Sequence, residues 1–580
     1  MCVLIFGSVF FLTGCSRKAT GFENTSLSPN GLMAEDFLPK DVMMVFSMNA
    51  FSNDEKDRLT ALRALFPSKN MPVSEDLQSA FQKQFEALQL SYDDDVKPIL
   101  GESNRIVFAF SSSNTPQSSN YVSFVIRDAE KFSALVAKLK AQQGFIEESY
   151  KKGGVIGKGT TYMAYSQDVA VLTSNIDEAK KSLDRLESKE NLRRDSAYLD
   201  TMGQFDEDYF GSLYLNVPAF FASSSSSALS RAPFDYKALL GKSPLIDSIL
   251  GYGFILQAEK DGYKVRGYVL GDKKRMKKND QNFQEYQGNG SYFTQDISGQ
   301  NLIFYNEGAD LKRDFEVAAL QWEKESSGKF SYANFKQSFQ QWMKLDFDKD
   351  VLSWASNPYL FAAYQNDQSV IPGFVFIADA SDNVESAQNV AKTFGLQISS
   401  VLNLVKLQYP FLSSAMEVGE MKVKNESVNV VTLDFNKLQN TSQSGEQNVL
   451  PFPVPEFLKN EKVVLTFGVV GKHFVVSTYK DFPKVYESPV LSADKEYSQI
   501  QSLVDADSGE VVYVRILEAV NYIDYMVKFF ESLAGERAQN IETSYNELRP
   551  YLLPLQSFFF VTNASDYSVN MEGFVRVGSF

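Results

Sequence analysis

The chain is written twice, and this repetition constrains its fold more than any other feature. LQLSYDDDVKPIL from Leu88 recurs as MKLDFDKDVLSWA from Met343, each an amphipathic helix end, an Asp-x-Asp-Val signal and an apolar continuation. YVSFVIRDAEKFSALVAKL from Tyr121 parallels GFVFIADASDNVESAQNVAKTF from Gly373, a strand, an acidic turn and a helix. VAVLTSNIDEAKKSL from Val169 parallels HFVVSTYKDFPKVY from His473. The hairpins GFILQAEKDGYKVRGYVLG from Gly253 and FFFVTNASDYSVNMEGFVRVG from Phe558 close the two series. A sequence with one order of strand and helix signals used twice calls for a unit that half the chain can build.

The separation is 255 residues between Asp95 and Asp350 but 306 between Gly267 and Gly573, so the second copy is longer. The extra length is expected at about 396–460, where NTSQSGEQN is polar and Pro451, Pro453 and Pro455 favour an extended path. Within a copy the order is strand, helix, long hairpin, helix, strand, helix, hairpin. AEKFSALVAKLKAQQ places Phe132, Leu135, Val136 and Leu139 on one helical face. Adjacent strands mixed with helices define an α+β class: two homologous copies of an antiparallel sheet with helices packed on one face. The expected division is a signal at 1–14, a tether at 15–35, copies at 36–272 and 291–580, and a basic polar linker at 273–290.

Residues Val3 to Leu12 are nearly all apolar, the length of an export signal's core and too short to span a bilayer. The run ends in Leu12-Thr13-Gly14-Cys15, which resembles the lipobox of bacterial lipoproteins. That resemblance implies cleavage between Gly14 and Cys15 and acylation (diacylglycerol, palmitate) of the Cys15 thiol. Two or more acyl chains give stable anchoring where one binds marginally. No residue from Met1 to Gly14 is charged, so the basic start of such a signal is expected upstream of Met1. Cys2 leaves with the signal and Cys15 is consumed by lipid, so no disulfide is available.

The formal charge of −15 argues against nucleic-acid binding and against electrostatic attraction to anionic lipid, leaving the anchor as the expected membrane link. Aromatic content is 13%, including 47 Phe and 28 Tyr. One reading makes these core anchors in a chain without disulfides; the other lines an apolar groove between sheet and helices.

Candidate chemistry is thin. Asp346, Asp348 and Asp350 alternate like the start of a calcium loop, but Val351 and Asn357 stand where Gly and Glu are required, so helix capping is the better reading. KKGGVIGKGTT has the wrong spacing for a phosphate loop and reads as a hairpin turn. Lys273, Lys274, Arg275, Lys277 and Lys278 read as a solvated linker, with contact to acidic glycopolymer or lipid headgroups as the alternative, and Ser223 to Ser227 as a loop. The single histidine, His473, lies in an apolar strand and reads as buried and neutral; it leaves no His-rich zinc site and no accompanying GxSxG. No metal, cofactor or catalytic residue is expected.

Pro39-x-Asp41 opening the first strand, followed by Asp95-Val96-Lys97-Pro98-Ile99-Leu100-Gly101, resembles a family of bacterial envelope proteins known as a domain of unknown function. The second copy departs, with Ser353 in the place of Pro98. The resemblance implies an extracytoplasmic location and carries no activity. The expected function is a non-enzymatic, lipid-anchored binding or envelope-assembly protein, with an envelope protein as its unknown partner. The alternatives are a carrier or sensor of an apolar ligand and a carboxylate-based hydrolase. The inner or outer membrane is left open.

Overall fold

The computed structural model describes residues 31–578 except 49–52, 68–84, 87, 101–104, 112–119, 206–208, 223–247, 279–291, 327–329, 367–368, 370, 443–458, 460, 505–508, 535 and 566. Gly14, Cys15, Ser223 to Ser227 and the three spaced prolines lie outside the described residues. The chain divides into two compact units: Met1–Glu285 with Asn563–Glu572, and Tyr286–Thr562 with Gly573–Phe580.

The first unit carries β1 (Val42–Met48), β2 (Ile106–Ser111), β3 (Asn120–Val125), β4 (Ile146–Tyr150), β5 (Gly153–Lys158), β6 (Thr161–Tyr165), β7 (Val169–Thr173), β8 (Gly211–Asn216), β9 (Ile249–Glu259) and β10 (Gly262–Gly271). They pair antiparallel in the order β10-β9-β8-β1-β2-β3-β7-β6-β5-β4. Helices α1 (Ala129–Ala141), α2 (Ile176–Ser188) and α3 (Ser196–Met202) begin at Asp128, Asn175 and Asp195, whose side chains accept backbone N–H groups of the first turn.

Helices α2 and α3 pack on one face of this sheet, with Ala179, Leu183, Tyr198 and Met202 against Val107, Val169 and Val171. The opposite face of the central strands is covered as well, by Phe132, Leu135, Val136 and Leu139 of α1 against Val122, Phe124, Ala170 and Leu172. This extends the expected one-sided helical layer. Alternate residues of a strand point to opposite faces, so a strand buried on both is apolar at successive positions, as in Val169–Thr173, where all five residues are buried.

The second unit carries β11 (Leu302–Gly308), β12 (Tyr359–Tyr364), β13 (Gly373–Asp379), β14 (Met416–Val423), β15 (Glu426–Asp434), β16 (Lys462–Val470), β17 (His473–Ser477), β18 (Glu510–Arg515), β19 (Leu555–Ser565) and β20 (Ser568–Val577). Their order is β20-β19-β18-β11-β12-β13-β17-β16-β15-β14. It follows the first unit's order strand for strand, although residues 563–572 at the tip of β19 and β20 group with the first unit. Helices α4 (Leu311–Glu325), α5 (Tyr332–Met343) and α6 (Val384–Gln408) join a core in which Phe335 and Phe339 meet Phe347 edge to face, with centroids 5.2 and 5.0 Å apart. These aromatics fill a core.

Local details coincide too. Gln89 and Lys344 both have φ 58°, each ahead of a π-helical turn, Tyr92–Val96 and Phe347–Val351. Asp95 accepts the Ser91 N–H at 2.9 Å, and Asp350 accepts the Asp346 N–H at 2.7 Å. Residues 396–460, expected as an insertion, hold the second half of α6, the β14–β15 hairpin and the helix Phe435–Ser442. Since β14 and β15 occupy the places of β4 and β5 in the pairing order, the added length is distributed around that hairpin. The expected linker also starts in folded structure: Lys273–Lys278 is a short helix that buries Met276, with Asp272 accepting the N–H groups of Lys274 and Arg275.

Helix α7 (Lys495–Gln501) is capped by Asp494, which accepts the Tyr497 N–H at 2.9 Å, as Asp195 accepts that of Tyr198 at 2.8 Å. Asp195→Ala is expected to cost about 1 kcal/mol. Asp494 also pairs with Arg515 at 2.7 Å, so Asp494→Ala should cost about 2 kcal/mol. Urea denaturation of both variants checks the order; equal losses would contradict it.

Candidate functional site

The residues singled out in the sequence do not converge. Asp348 and Asp350 serve the turn that Asp346 caps: Asp346 accepts the N–H groups of Asp348 and Lys349, and Asp348 pairs with Lys336 at 3.1 Å. No group of three or more metal-ligating side chains occurs among the described residues. Gly153 and Gly157 lie in β5, and Gly159, at φ +63°, turns the chain into β6, as a hairpin requires. Lys273 and Lys277 stand over the Tyr567 ring. Gly14 and Cys15 lie outside the described residues.

His473 begins β17 and is buried, with Phe293 edge-on at 5.4 Å and Tyr486 stacked at 6.3 Å. Burial lowers its pKa against the pull of the Asp296 and Asp379 carboxylates, so the ring is neutral at neutral pH. Its Nε2 has no hydrogen-bond partner among the described residues and lies 3.9 Å from Asp296 Oδ2. Beside it, the Tyr292 hydroxyl donates to Asp379 Oδ2 and accepts from Lys472 Nζ. Burial opposes ionisation of Asp379, but Tyr292, Ser381 and Lys472 together hold its carboxyl below the usual range.

Tyr292 also leads into the core. Its N–H and that of Phe293 donate to Glu307 of β11 at 2.9 and 3.2 Å, and the Tyr305 hydroxyl donates to the same carboxyl. Glu307 is fully buried, and burial pushes its pKa up to about 7 despite these three donors. The result is a polar path from exposed Lys472 through Tyr292 to a carboxyl that titrates near neutrality.

The first unit buries a different arrangement: its carboxylate, Glu35, belongs to the 3-10 turn Ala34–Phe37, whereas in the second unit the turn is Phe293–Gln295 and the carboxylate, Glu307, lies in β11. Glu35 Oε1 pairs with Arg105 at 2.8 Å and accepts the Tyr198 hydroxyl at 2.9 Å. Glu35 Oε2 has no partner among the described residues. Tyr198 meets Tyr214 with centroids 5.1 Å apart at 88°; in the second unit Tyr497 meets Tyr513 at 5.1 Å and 89°. Each tyrosine of the second pair stands 299 residues after its counterpart in the first. Sequence reading missed Glu35, Arg105 and Glu307, because each stands beside other polar residues and nothing local marks it for burial. The signal that was legible is Asp195-x-x-Tyr198 recurring as Asp494-x-x-Tyr497.

These features define an α+β protein of two units, each bonding a buried carboxylate to a buried tyrosine beside a 3-10 turn. The family described as "Protein of unknown function (DUF3352)" matches residues 1–407, and the chain belongs to it. No curated protein matches. Among solved structures, crystal form I of TP0453 is 8% identical, covering 43% of this chain and 80% of that one at a TM-score of 0.24. Crystal form III of TP0453 is 8% identical, with 42% and 82% covered at 0.23. Similarity at that level carries no argument about function.

Two consequences are measurable. Arg105→Ala would leave Glu35 buried without its cation and is expected to cost about 3–5 kcal/mol in denaturant titration. Glu307 has a folded pKa of about 7 against 4.5 for an ordinary glutamate, so the folded protein retains a proton that the unfolded chain has released. Its contribution is fully present below pH 4.5 and falls as pH rises to about 7, by about 3 kcal/mol. In stability measurements from pH 4 to 8, the advantage of wild type over Glu307→Gln should shrink across that window; a constant difference would remove Glu307 as a titrating group.

Proposed function

We propose that the protein is a non-enzymatic lipoprotein of the bacterial envelope, held on the extracytoplasmic side of a membrane by acyl chains on Cys15 and acting in binding or assembly. Its organisation is a signal at 1–14, a tether at 15–35 and two homologous copies of one α+β unit joined near 273–290. The matching strand orders and the matching tyrosine pairs support descent of both units from one ancestor. The lipobox and the uncharged apolar run before it support export and anchoring.

The observation that carries the binding reading is the distribution of exposed apolar side chains. Among the described residues the first unit exposes Met48, Ile146 and Leu199, whereas the second exposes fourteen large apolar side chains, several on α6. Concentrated apolar surface marks interaction sites. The prominent carboxylates, in contrast, are engaged as caps and internal pairs. The functional difference between the copies therefore resides in the second.

Two measurements test this. Alkyne-palmitate fed to cells expressing the full chain should label it and place it in the membrane fraction, and Cys15→Ala should lose both; an equally labelled variant sinks the anchor. Native mass spectrometry of residues 16–580, followed by organic extraction, should find no stoichiometric lipid. A bound apolar molecule would replace the binding or assembly role with that of a carrier.

A further inference from the structure

The structure assigns the C-terminal half of α6 a docking role: we infer that its apolar face lies on an anionic lipid surface. The inference deepens the reading of a membrane-held binding protein and rests on it for the proximity of a bilayer.

The helix changes character along its length. In its first half Ala387, Val390, Ala391 and Gly395 are buried. Beyond Gly395 no residue of the helix is fully buried, and Leu396, Leu404 and Leu407 are 61%, 66% and 79% exposed. At 100° per residue these three leucines fall on one face of the helix, within an arc of about 80°. Tyr409 extends the exposed surface past the helix end, where an aromatic residue suits the boundary between headgroups and acyl chains.

The charge of −15 opposes attraction of the chain as a whole to anionic lipid, but around this face the local charge has the opposite sign. Residues 386–416 contain Lys392 and Lys406 and no Asp or Glu, in a chain with 72 acidic residues. The next acid, Glu417, is paired with Lys437 at 2.6 Å. An exposed leucine face bordered on one side by Lys392 and Lys406, with the neighbouring Glu417 held by Lys437 and Lys406, fits the interface of a bilayer with anionic headgroups, where apolar area and electrostatic attraction act together. No helix among the described residues is long and apolar enough to cross a membrane, so the face would lie in the interfacial plane.

Residues 16–580 contain every described residue and lack both signal and acylated cysteine, so they report docking without the anchor. The protein is sedimented with vesicles of phosphatidylethanolamine and phosphatidylglycerol at 3:1, and its mass in solution is read by light scattering. Wild type should co-sediment, and Leu404→Glu with Leu407→Glu should weaken apparent vesicle affinity at least about tenfold while thermal unfolding is unchanged, as both positions are exposed. Equal sedimentation of wild type and variant overturns the inference. So does wild type that stays in solution; if it is then a dimer that the variant dissociates, the face belongs to a second copy. Palmitate-labelled Cys15 without vesicle binding sinks docking alone, and vesicle binding with unlabelled Cys15 sinks the anchor alone.

Discussion

Burial of polar groups inside sheets covered on both faces is the constraint on which the rest of the structure depends. A carboxylate removed from water is costly unless donors meet it, so its position dictates what must surround it. Glu307 draws in the N–H groups of Tyr292 and Phe293, which sets the path of the chain just before β11. Glu35 is met by Arg105 and Tyr198, which ties the turn before β1 to α3. In each unit a short 3-10 turn is thereby held close to the sheet, and the strand that follows enters the middle of the pairing order.

The two solutions differ in their response to protons. In the first unit the charge of Glu35 is met by the Arg105 guanidinium, whose own pKa rises beside the carboxylate although burial works against it. In the second, no cation is bonded to Glu307 among the described residues; burial and three neutral donors leave it titrating near neutrality. Two buried carboxylates at different places, Glu35 in the turn before β1 and Glu307 within β11, are thus a locked ion pair in one unit and a proton-responsive carboxyl in the other. The outer surfaces diverge in parallel, with exposed leucines on α6 and mostly charged or polar exposed positions on α1.

Much of the fold was legible because strand and helix periods are local. Asp128 before α1 and the apolar spacing of Phe132, Leu135, Val136 and Leu139 define that helix without reference to its surroundings, and all four residues are buried. The Asp-x-Asp-Val signals likewise act within one turn, closing on their own backbone amides. The second helical layer was harder to read, since a strand buried on both faces loses the alternation that reveals its direction. Lys273–Lys278 escaped because five cations around one methionine carry no apolar period, yet Met276 is the residue that is buried.

What local chemistry encodes, then, is the repeated order of elements and their caps and turns. Which carboxylates become buried, which tyrosines stack and which leucines stay in solvent were decided by tertiary structure. Leu135 and Leu404 stand in similar amphipathic helices and read alike in the chain; the first is buried against β3 and β7, while the second is exposed. The difference is physical: burial is a property of the partner surface, and the partner of a helix face lies far away in sequence.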